Sequence, residues 1–161
     1  MTTPYSQYLG SRDPLVVLDE TPKRIRELTT ALGSDGLSHS YAPGKWTVCQ
    51  ILTHLAQVEM IFGTRLRQAL TMKDYVVQPF DQDQWMAREP LPESAVVIDA
   101  LCNMRQWNLK LFHSLSPAEQ ARTFLHPEQG TISVRWLIEV LAGHDLNHLA
   151  QLEIVAASVR H

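Results

Sequence analysis

The sequence predicts an all-α protein with four long helices in a single domain, residues 1–161. Four segments repeat apolar residues with the period of an α-helix, and almost nothing alternates with the period of a strand. A chain of 161 residues can bury a core without disulfides. The composition, 45% hydrophobic and 19% charged with a formal net charge of -3, is typical of a globular protein and argues against disorder.

The first helix has two candidate starts. Asp13 and Thr21 each precede a proline, as an N-cap residue precedes a proline at the first helical position. We therefore expect a short helical turn after Asp13, and then a main helix from about Thr21 to Leu32. Gly33 is expected to end that helix, because glycine is common just beyond a helix.

The second helix has a complete capping signal in the string KWTVCQI. Thr47 can accept a hydrogen bond from the backbone of Gln50, while the Gln50 side chain reaches back to Thr47. Apolar residues then recur at helical spacing up to about Met72. His54 lies beside this apolar stripe.

Three more helices follow in the second half of the chain. The third long helix is expected over about residues 93–115, and Ser116 in SPAEQ predicts a short connecting helix by the same capping logic. The fourth long helix is expected over about residues 133–158. It places His144 and His148 inside its apolar stripe.

The segment between the second and third long helices, residues 73–92, is too polar and too rich in proline for a helix. Such a loop is long for a compact domain. About twenty extended residues could span roughly 60 Å, whereas the second helix should be about 39 Å long. The loop can therefore cross back along the bundle and leave the two helices parallel. His126 is expected in another loop, just before the fourth long helix.

Several protein classes are disfavoured by composition. The 14 Lys and Arg residues form no basic stripe, which argues against nucleic-acid binding. The first residues have neither the basic start nor the apolar run of a signal peptide, and no stretch approaches a membrane span, so we expect a cytoplasmic protein. Cys49 and Cys102 form no CxxC motif and are expected to be buried, reduced thiols.

Three histidines are candidate ligands of one metal ion. His144 and His148 are four residues apart, so both rings emerge from one helix face about one turn apart. His54 lies on the core side of another helix. A single buried histidine is more often an ordinary core residue, but one divalent cation would satisfy three neutral imidazoles at once. His39 and His161 are expected at the surface.

Nearly the same hexapeptide occurs twice, as HLAQVE at residues 54–59 and HLAQLE at residues 148–153. In each copy a glutamine, Gln57 or Gln151, follows the histidine by three residues. The two helices could therefore present matching histidine and glutamine groups to one centre, with each glutamine bonded to a ligand ring or a bound water.

Other polar residues are candidates for supporting roles. Asn147 could bond a ring or a bound water, because it follows His144 by three residues. Glu59 and Asp145 are less well placed and are expected to be solvated or to lie at an interface. Arg65 could hold an anionic substrate, or form only a surface salt bridge. The loop residues expected to contact substrate are Asp81, Asp83, Trp85 and Arg88.

The strings PGKWTVCQILTHLAQVE and HPEQGTISVRWLIEVLAGHDLNHLAQLE together resemble the DinB-like, or YfiT-like, superfamily. The resemblance covers about residues 13–155. It implies a four-helix bundle, up-down-down-up, with the long crossover between the second and third helices. It also implies a metal ion held by His54, His144 and His148, and a homodimer. One departure is Gln57 and Val58, where many relatives have an acidic residue nearby.

The resemblance implies an enzyme that acts on a small molecule. Members look like thiol-dependent transferases or isomerases that use low-molecular-weight thiols, or like metal-dependent hydrolases. We expect a mononuclear centre, with zinc or nickel as the metal. No general base is evident beside the histidines, which favours thiol chemistry over activation of water. The alternatives are a hydrolase, a non-enzymatic metal-binding stress-response protein, and a helical interaction module without metal.

Overall fold

The computed structural model describes residues 2–159 and confirms an all-α four-helix bundle. Four long helices form the bundle, and three short helices and a two-stranded hairpin connect or flank them. In chain order the elements are α1 (Ser6–Leu9), α2 (Pro14–Gly36), α3 (Val48–Thr71), α4 (Gln82–Arg88), α5 (Ser94–Ser114), α6 (Pro117–Ala121), β1 (Thr123–His126), β2 (Gly130–Ser133) and α7 (Val134–Ser158). His161 lies outside the described residues.

The bundle has the predicted up-down-down-up order. Contacts that advance together along two helices mark parallel neighbours, which are α2 with α7 and α3 with α5. Contacts that run in opposite order mark antiparallel neighbours, which are α2 with α5 and α3 with α7. The Arg24–Glu153 pair and the Arg105 bridge from Leu18 to Asp145 show that α2 and α7 are parallel, and the Cys49–Pro92 and Glu59–Asn108 contacts show the same for α3 and α5. The Asp19–His113 and Arg26–Asp99 pairs show that α2 and α5 are antiparallel. The apolar clusters join α3 to α7 in the antiparallel direction.

The capping signals locate most helix ends correctly. Thr47 Oγ1 accepts from the Gln50 backbone at 3.3 Å, and the Thr47 backbone donates to Gln50 Oε1 at 2.9 Å. Ser116 forms the same type of capping box at α6. Helices α3, α5, α6 and α7 therefore begin and end close to the predicted residues.

The prediction of two helices before Gly33 is wrong, because α2 begins at Pro14 and continues through Pro22. A proline inside a helix leaves the carbonyl four residues earlier without its N–H donor. Here that carbonyl belongs to Leu18, and it accepts from Arg105 Nη1 at 3.2 Å. A buried arginine thus replaces the missing donor. Gly33 breaks the helical geometry as expected, with φ at 63°.

Helices α1 and α4 and the hairpin of β1 and β2 are absent from the sequence prediction. The crossover, predicted without a helix, contains α4, whose first turn is capped by Asp81 Oδ1 at 3.0 Å from the backbone nitrogen of Asp83. His126, predicted in a loop, ends strand β1, which pairs antiparallel with β2. Strands of four residues are too short to show a clear alternation. The crossover is tied to this hairpin, because Val77 donates to the Leu125 carbonyl at 2.9 Å.

The core consists of two apolar clusters near the two ends of the bundle. Polar and charged side chains lie buried between them, and they include all three predicted ligand histidines. Cys102 is buried and Cys49 half-buried. Among the helices of residues 2–159, none is both long and apolar enough to cross a membrane.

Candidate metal centre

Two antiparallel helices bring the three predicted histidines together. His54 extends from α3, and His144 and His148 extend from one face of α7. Nε2 of His144 lies 3.0 Å from Nε2 of His54 and 3.1 Å from Nε2 of His148. The three rings therefore direct the same nitrogen towards one point.

The three rings are held by close packing. Their residues are only 1%, 6% and 7% exposed for His54, His144 and His148. Trp46 packs on the His54 ring with 4.9 Å between ring centroids, and the Tyr5 ring meets His144 edge-on at 5.3 Å. Tyr5 can approach because residue 143 is a glycine, and a Cβ there would lie 2.6 Å from Tyr5 Cβ.

Gln151 sets the proton position on one of these histidines. Its Oε1 lies 2.8 Å from Nδ1 of His148, so this nitrogen carries the proton and donates it. The lone pair of His148 is then on Nε2, which faces the centre. Such an outer hydrogen bond is the usual means of orienting a metal-binding imidazole.

The histidines are neutral in the folded protein. Burial lowers the pKa of His54 to about 3, and burial lowers the pKa of His148 to about 4. Burial also lowers the pKa of His144, and the neighbouring histidines and Arg105 add to the effect. A metal ligand must present a free lone pair, so low pKa values favour metal binding at neutral pH.

The donor set fits a single divalent ion. Two histidine nitrogens bound at about 2.0–2.1 Å in a tetrahedral site lie about 3.3 Å apart, close to the observed separations. Both Nε2 contacts cannot be hydrogen bonds at once, because His148 Nε2 is unprotonated and His144 Nε2 carries at most one proton. An ion would take all three lone pairs. Imidazole ligands suit zinc and nickel.

A polar cavity of about 350 Å³, here called the histidine pocket, opens beside His148. Asp83 from α4 and Lys45 from the loop before α3 bring a carboxylate and an ammonium group to its wall. The other lining residues are Tyr5, Tyr41, Gly44, Trp46, Gln82, Asn147 and Gln151. The pocket gives a small polar molecule access to the exposed side of the centre.

The predicted supporting residues have different surroundings. Asn147, Gln151 and Asp83 line the histidine pocket. Gln57, expected to bond a ligand ring, instead donates from Nε2 to Glu89 at 3.0 Å. This occurs because α4 and the segment after it cover α3 at that position. The two hexapeptides therefore do not present matching glutamines.

The other predicted contact residues lie away from the histidine pocket. Arg65, Asp81 and Trp85 line a second cavity on the other side of α4, and Arg88 is exposed and lines neither cavity. His126, at the end of β1, accepts from the Glu128 backbone through Nδ1 at 3.2 Å. His39 is exposed, as expected.

A buried ionic cluster lies next to the histidines, and sequence analysis missed it. Arg105 bonds Glu59 Oε2 from Nε at 2.8 Å and Asp145 Oδ2 from Nη1 at 2.7 Å. All three residues are at most 1% exposed, so the expectation that Glu59 and Asp145 are solvated is wrong. Asn108 completes the cluster by donating to Glu59 Oε1 at 2.7 Å. The signal available in the sequence was an arginine on the apolar face of the third long helix.

The pKa values of Asp145 and Arg105 are both shifted within this cluster. Burial raises the pKa of Asp145, although Arg105 opposes that shift. Burial lowers the pKa of Arg105, but the carboxylates of Asp145 and Glu59 outweigh it and raise that pKa above its ordinary value. The guanidinium joins α5 to α3 and α7, and its partner Asp145 directly follows the candidate ligand His144.

The up-down-down-up bundle and the three converging histidines define a class, helical-bundle proteins with a candidate three-histidine metal centre. The chain belongs to the DinB superfamily, whose family profile matches residues 17–152. A protein of Oceanobacillus iheyensis named "Putative metal-dependent hydrolase" is 34% identical over 139 residues, which are 84% of this chain and 79% of the relative. A protein of Bacillus mycoides with the same description is 28% identical over the same shares of the two chains.

A solved structure shares the fold. It is YfiT from Bacillus subtilis, described as "a probable metal-dependent hydrolase with an unusual four-helix bundle topology". The TM-score is 0.84 with 19% sequence identity, over 99% of this chain and 91% of YfiT. At this identity the likeness shows the bundle architecture.

The metal-free protein is expected to lose stability as the pH falls. The folded-state pKa values of His54 and His148, about 3 and about 4, lie below the value of 6.5 for an unfolded histidine. The unfolded chain therefore binds more protons below pH 6.5, so this stability is present above that pH and is lost as the pH falls towards the folded values. The free energy of unfolding should fall by about 4 kcal/mol between about pH 7 and pH 5.

Urea unfolding in the presence of a chelator measures this effect. A variant with both His54→Gln and His148→Gln is the matched control, and it should lose most of the pH dependence. An equal slope in both proteins would show that other groups cause the acid instability.

Proposed function

We propose that this protein is a metal-dependent hydrolase with one divalent ion held by His54, His144 and His148. The convergence of three neutral, buried Nε2 atoms beside a polar pocket carries the proposal. The names of the relatives agree with this activity. The substrate is a small polar molecule, since the pocket of about 350 Å³ is at the lower end of the range for ligand sites.

A divalent ion held at this centre would polarise a substrate carbonyl and lower the pKa of a coordinated water. The protein supplies the remaining functions. Gln151 keeps the His148 lone pair directed at the centre. The Asp83 carboxylate is the proton acceptor in the pocket, and Lys45 attracts a negatively charged part of the substrate.

Asp83 changes the balance between the two candidate reactions. Thiol chemistry was favoured from sequence because no general base was evident beside the histidines. The carboxylate of Asp83 lines the same pocket as His148 and supports activation of water. Thiol-dependent transfer is the second candidate, and Lys45 supports it because low-molecular-weight thiols such as glutathione carry carboxylates. A homodimer and a cytoplasmic location stay predictions.

The first test of the proposal is the metal content of protein purified without an affinity tag. Elemental analysis should find about one zinc or nickel ion per chain, as expected for a single three-histidine centre. The protein with its metal is then assayed against simple esters and amides. A parallel panel contains glutathione, bacillithiol or mycothiol with an electrophile. Hydrolysis without added thiol is the expected result.

Asp83→Asn tests the assigned proton acceptor. It should lower kcat for hydrolysis by about 100-fold or more and leave the metal content unchanged. Asp74→Asn, on the same crossover, is the matched control and should keep full activity. Absence of metal in the wild type would reject the proposal. Bound metal without turnover in either panel, together with unfolding on chelation, would indicate a structural metal-binding protein.

A further inference from the structure

A second cavity, of about 550 Å³, lies between α3 and the crossover. We call it the Arg65 cavity, and it is lined chiefly by Met60, Ile61, Arg65, Tyr75, Phe80 and Trp85. It shares no lining residue with the histidine pocket, although α4 contributes to both. Its walls are more apolar, and they contain one buried cation.

Arg65 is fixed in this cavity but is not neutralised. It is 7% exposed, and its guanidinium carbon lies 5.6 Å from the Phe62 ring centre and 5.7 Å from the Phe80 ring centre. Nη2 donates to the Gln78 carbonyl at 2.8 Å. Among residues 2–159, no carboxylate forms an ion pair with Arg65.

The carboxylates near the cavity do not compensate this charge. Asp81 lines the cavity, but it accepts hydrogen bonds from the backbone and side chain of Gln84 at the start of α4. Glu128 acts on Arg65 only from beyond ion-pair distance. Burial has the larger effect and lowers the pKa of Arg65. A buried arginine without an anion is costly, and an anionic ligand removes that cost.

We propose that the Arg65 cavity is a second binding site, for a small organic carboxylate with an apolar or aromatic body. Arginine presents a planar array of N–H donors that matches a carboxylate. One donor is used by Gln78, which leaves others for the ligand. This site is independent of the metal centre and does not rest on the proposed hydrolysis.

The apolar walls select the rest of the ligand. Trp85 and Met60 are 38% and 47% exposed, although both are large apolar residues that favour burial. The Phe80 and Trp85 rings pack at 5.2 Å, which holds this wall in place. The crossover segment at Tyr75 is also fixed, because the Leu125 backbone donates to the Tyr75 carbonyl at 3.1 Å. A site that is already formed loses little free energy on ordering when it binds.

Calorimetric titration with phenylacetate tests the site, using the full chain with its native metal. Phenylacetamide is the uncharged analogue, and inorganic phosphate is the anion without an apolar body. Saturable binding of phenylacetate, with weaker binding of both analogues, is the expected result. Arg65→Met keeps the apolar volume and should raise the Kd for phenylacetate about 10- to 100-fold. It should change the Kd for phenylacetamide little.

Arg88→Met, which removes an exposed cation from α4, is the control for general electrostatic attraction and should bind as the wild type does. Thermal melting of each variant verifies folding, and Phe80→Leu supplies a second test that retains the charge but reduces the aromatic wall. The same titration on metal-depleted protein should give an unchanged Kd.

The proposal is overturned by absence of saturable binding, by equal affinity in Arg65→Met, or by binding that disappears with the metal. A wild-type dimer that binds no phenylacetate would show that a second copy covers the cavity and would also overturn it.

Discussion

Replacement of His144 by glutamine is expected to weaken binding of a divalent ion by at least about 100-fold, because the loss of a supporting residue alone costs 10- to 100-fold. Nε2 of His144 lies within 3.1 Å of Nε2 of both other histidines, so its removal leaves two donors. The metal content of the purified variant should fall from about one ion per chain to a trace, and hydrolytic activity should fall with it. Competition with a chromogenic chelator measures the affinity.

His113→Gln is the matched control for this experiment. His113 lies on α5 and is exposed, with Nε2 3.1 Å from Asp19, far from the centre in the sequence and in the fold. It should keep the wild-type metal content. Circular dichroism verifies that His144→Gln remains helical. A variant that still binds one ion with wild-type affinity would reject the three-histidine centre.

Replacement of Arg105 by methionine is expected to destabilise the protein by about 3–5 kcal/mol. The change leaves the carboxylates of Glu59 and Asp145 buried without their cation, and it removes the donor to the Leu18 carbonyl. A loss of this size is a large fraction of the stability of a typical domain. Urea unfolding at neutral pH, with saturating metal, measures it.

Arg26→Met is the surface control. Arg26 pairs with Asp99 at 2.8 Å, but both side chains are at least half exposed, so the loss should be below about 1 kcal/mol. A second comparison replaces both acids in the Arg105→Met background with Glu59→Gln and Asp145→Asn. That protein should recover part of the lost stability, because no unpaired charge remains buried. Equal losses for Arg105→Met and Arg26→Met would show that the buried cluster contributes no more than a surface pair.

The helices and the ligand face were predictable because their signals are local. A capping box spans four residues, and an apolar stripe repeats within one or two turns, so Thr47 and the stripe through His144 could be identified without knowledge of the fold. The prediction that a new helix begins near Pro22 failed for the opposite reason. Its helix is preserved by Arg105, which is 87 residues from Leu18 in the sequence. No local pattern contains that interaction.

The repeated hexapeptide shows the same difference between local signals and long-range contacts within the site. The local pattern places His54 and His148 correctly on the buried faces of two helices. The following residues have different roles: Gln57 bonds Glu89, whereas Gln151 bonds His148. The fifth residue after each histidine is a glutamate in both copies, but its surroundings differ. Glu59 is buried against Arg105, whereas Glu153 forms an exposed pair with Arg24.

The sequence by itself determined four long helical segments, most of their ends and the three histidines on their buried faces, because these follow from residues within a turn or two of each other. Only the tertiary structure decided which polar side chains lie beside the centre, that Arg105 pairs with two acids 46 and 40 residues away, and that Arg65 and Asp83 line separate cavities. Two nearly identical short segments acquire different partners once the helices pack. Burial and ion pairing depend on neighbours that are distant in the chain, and a helical pattern carries no information about them.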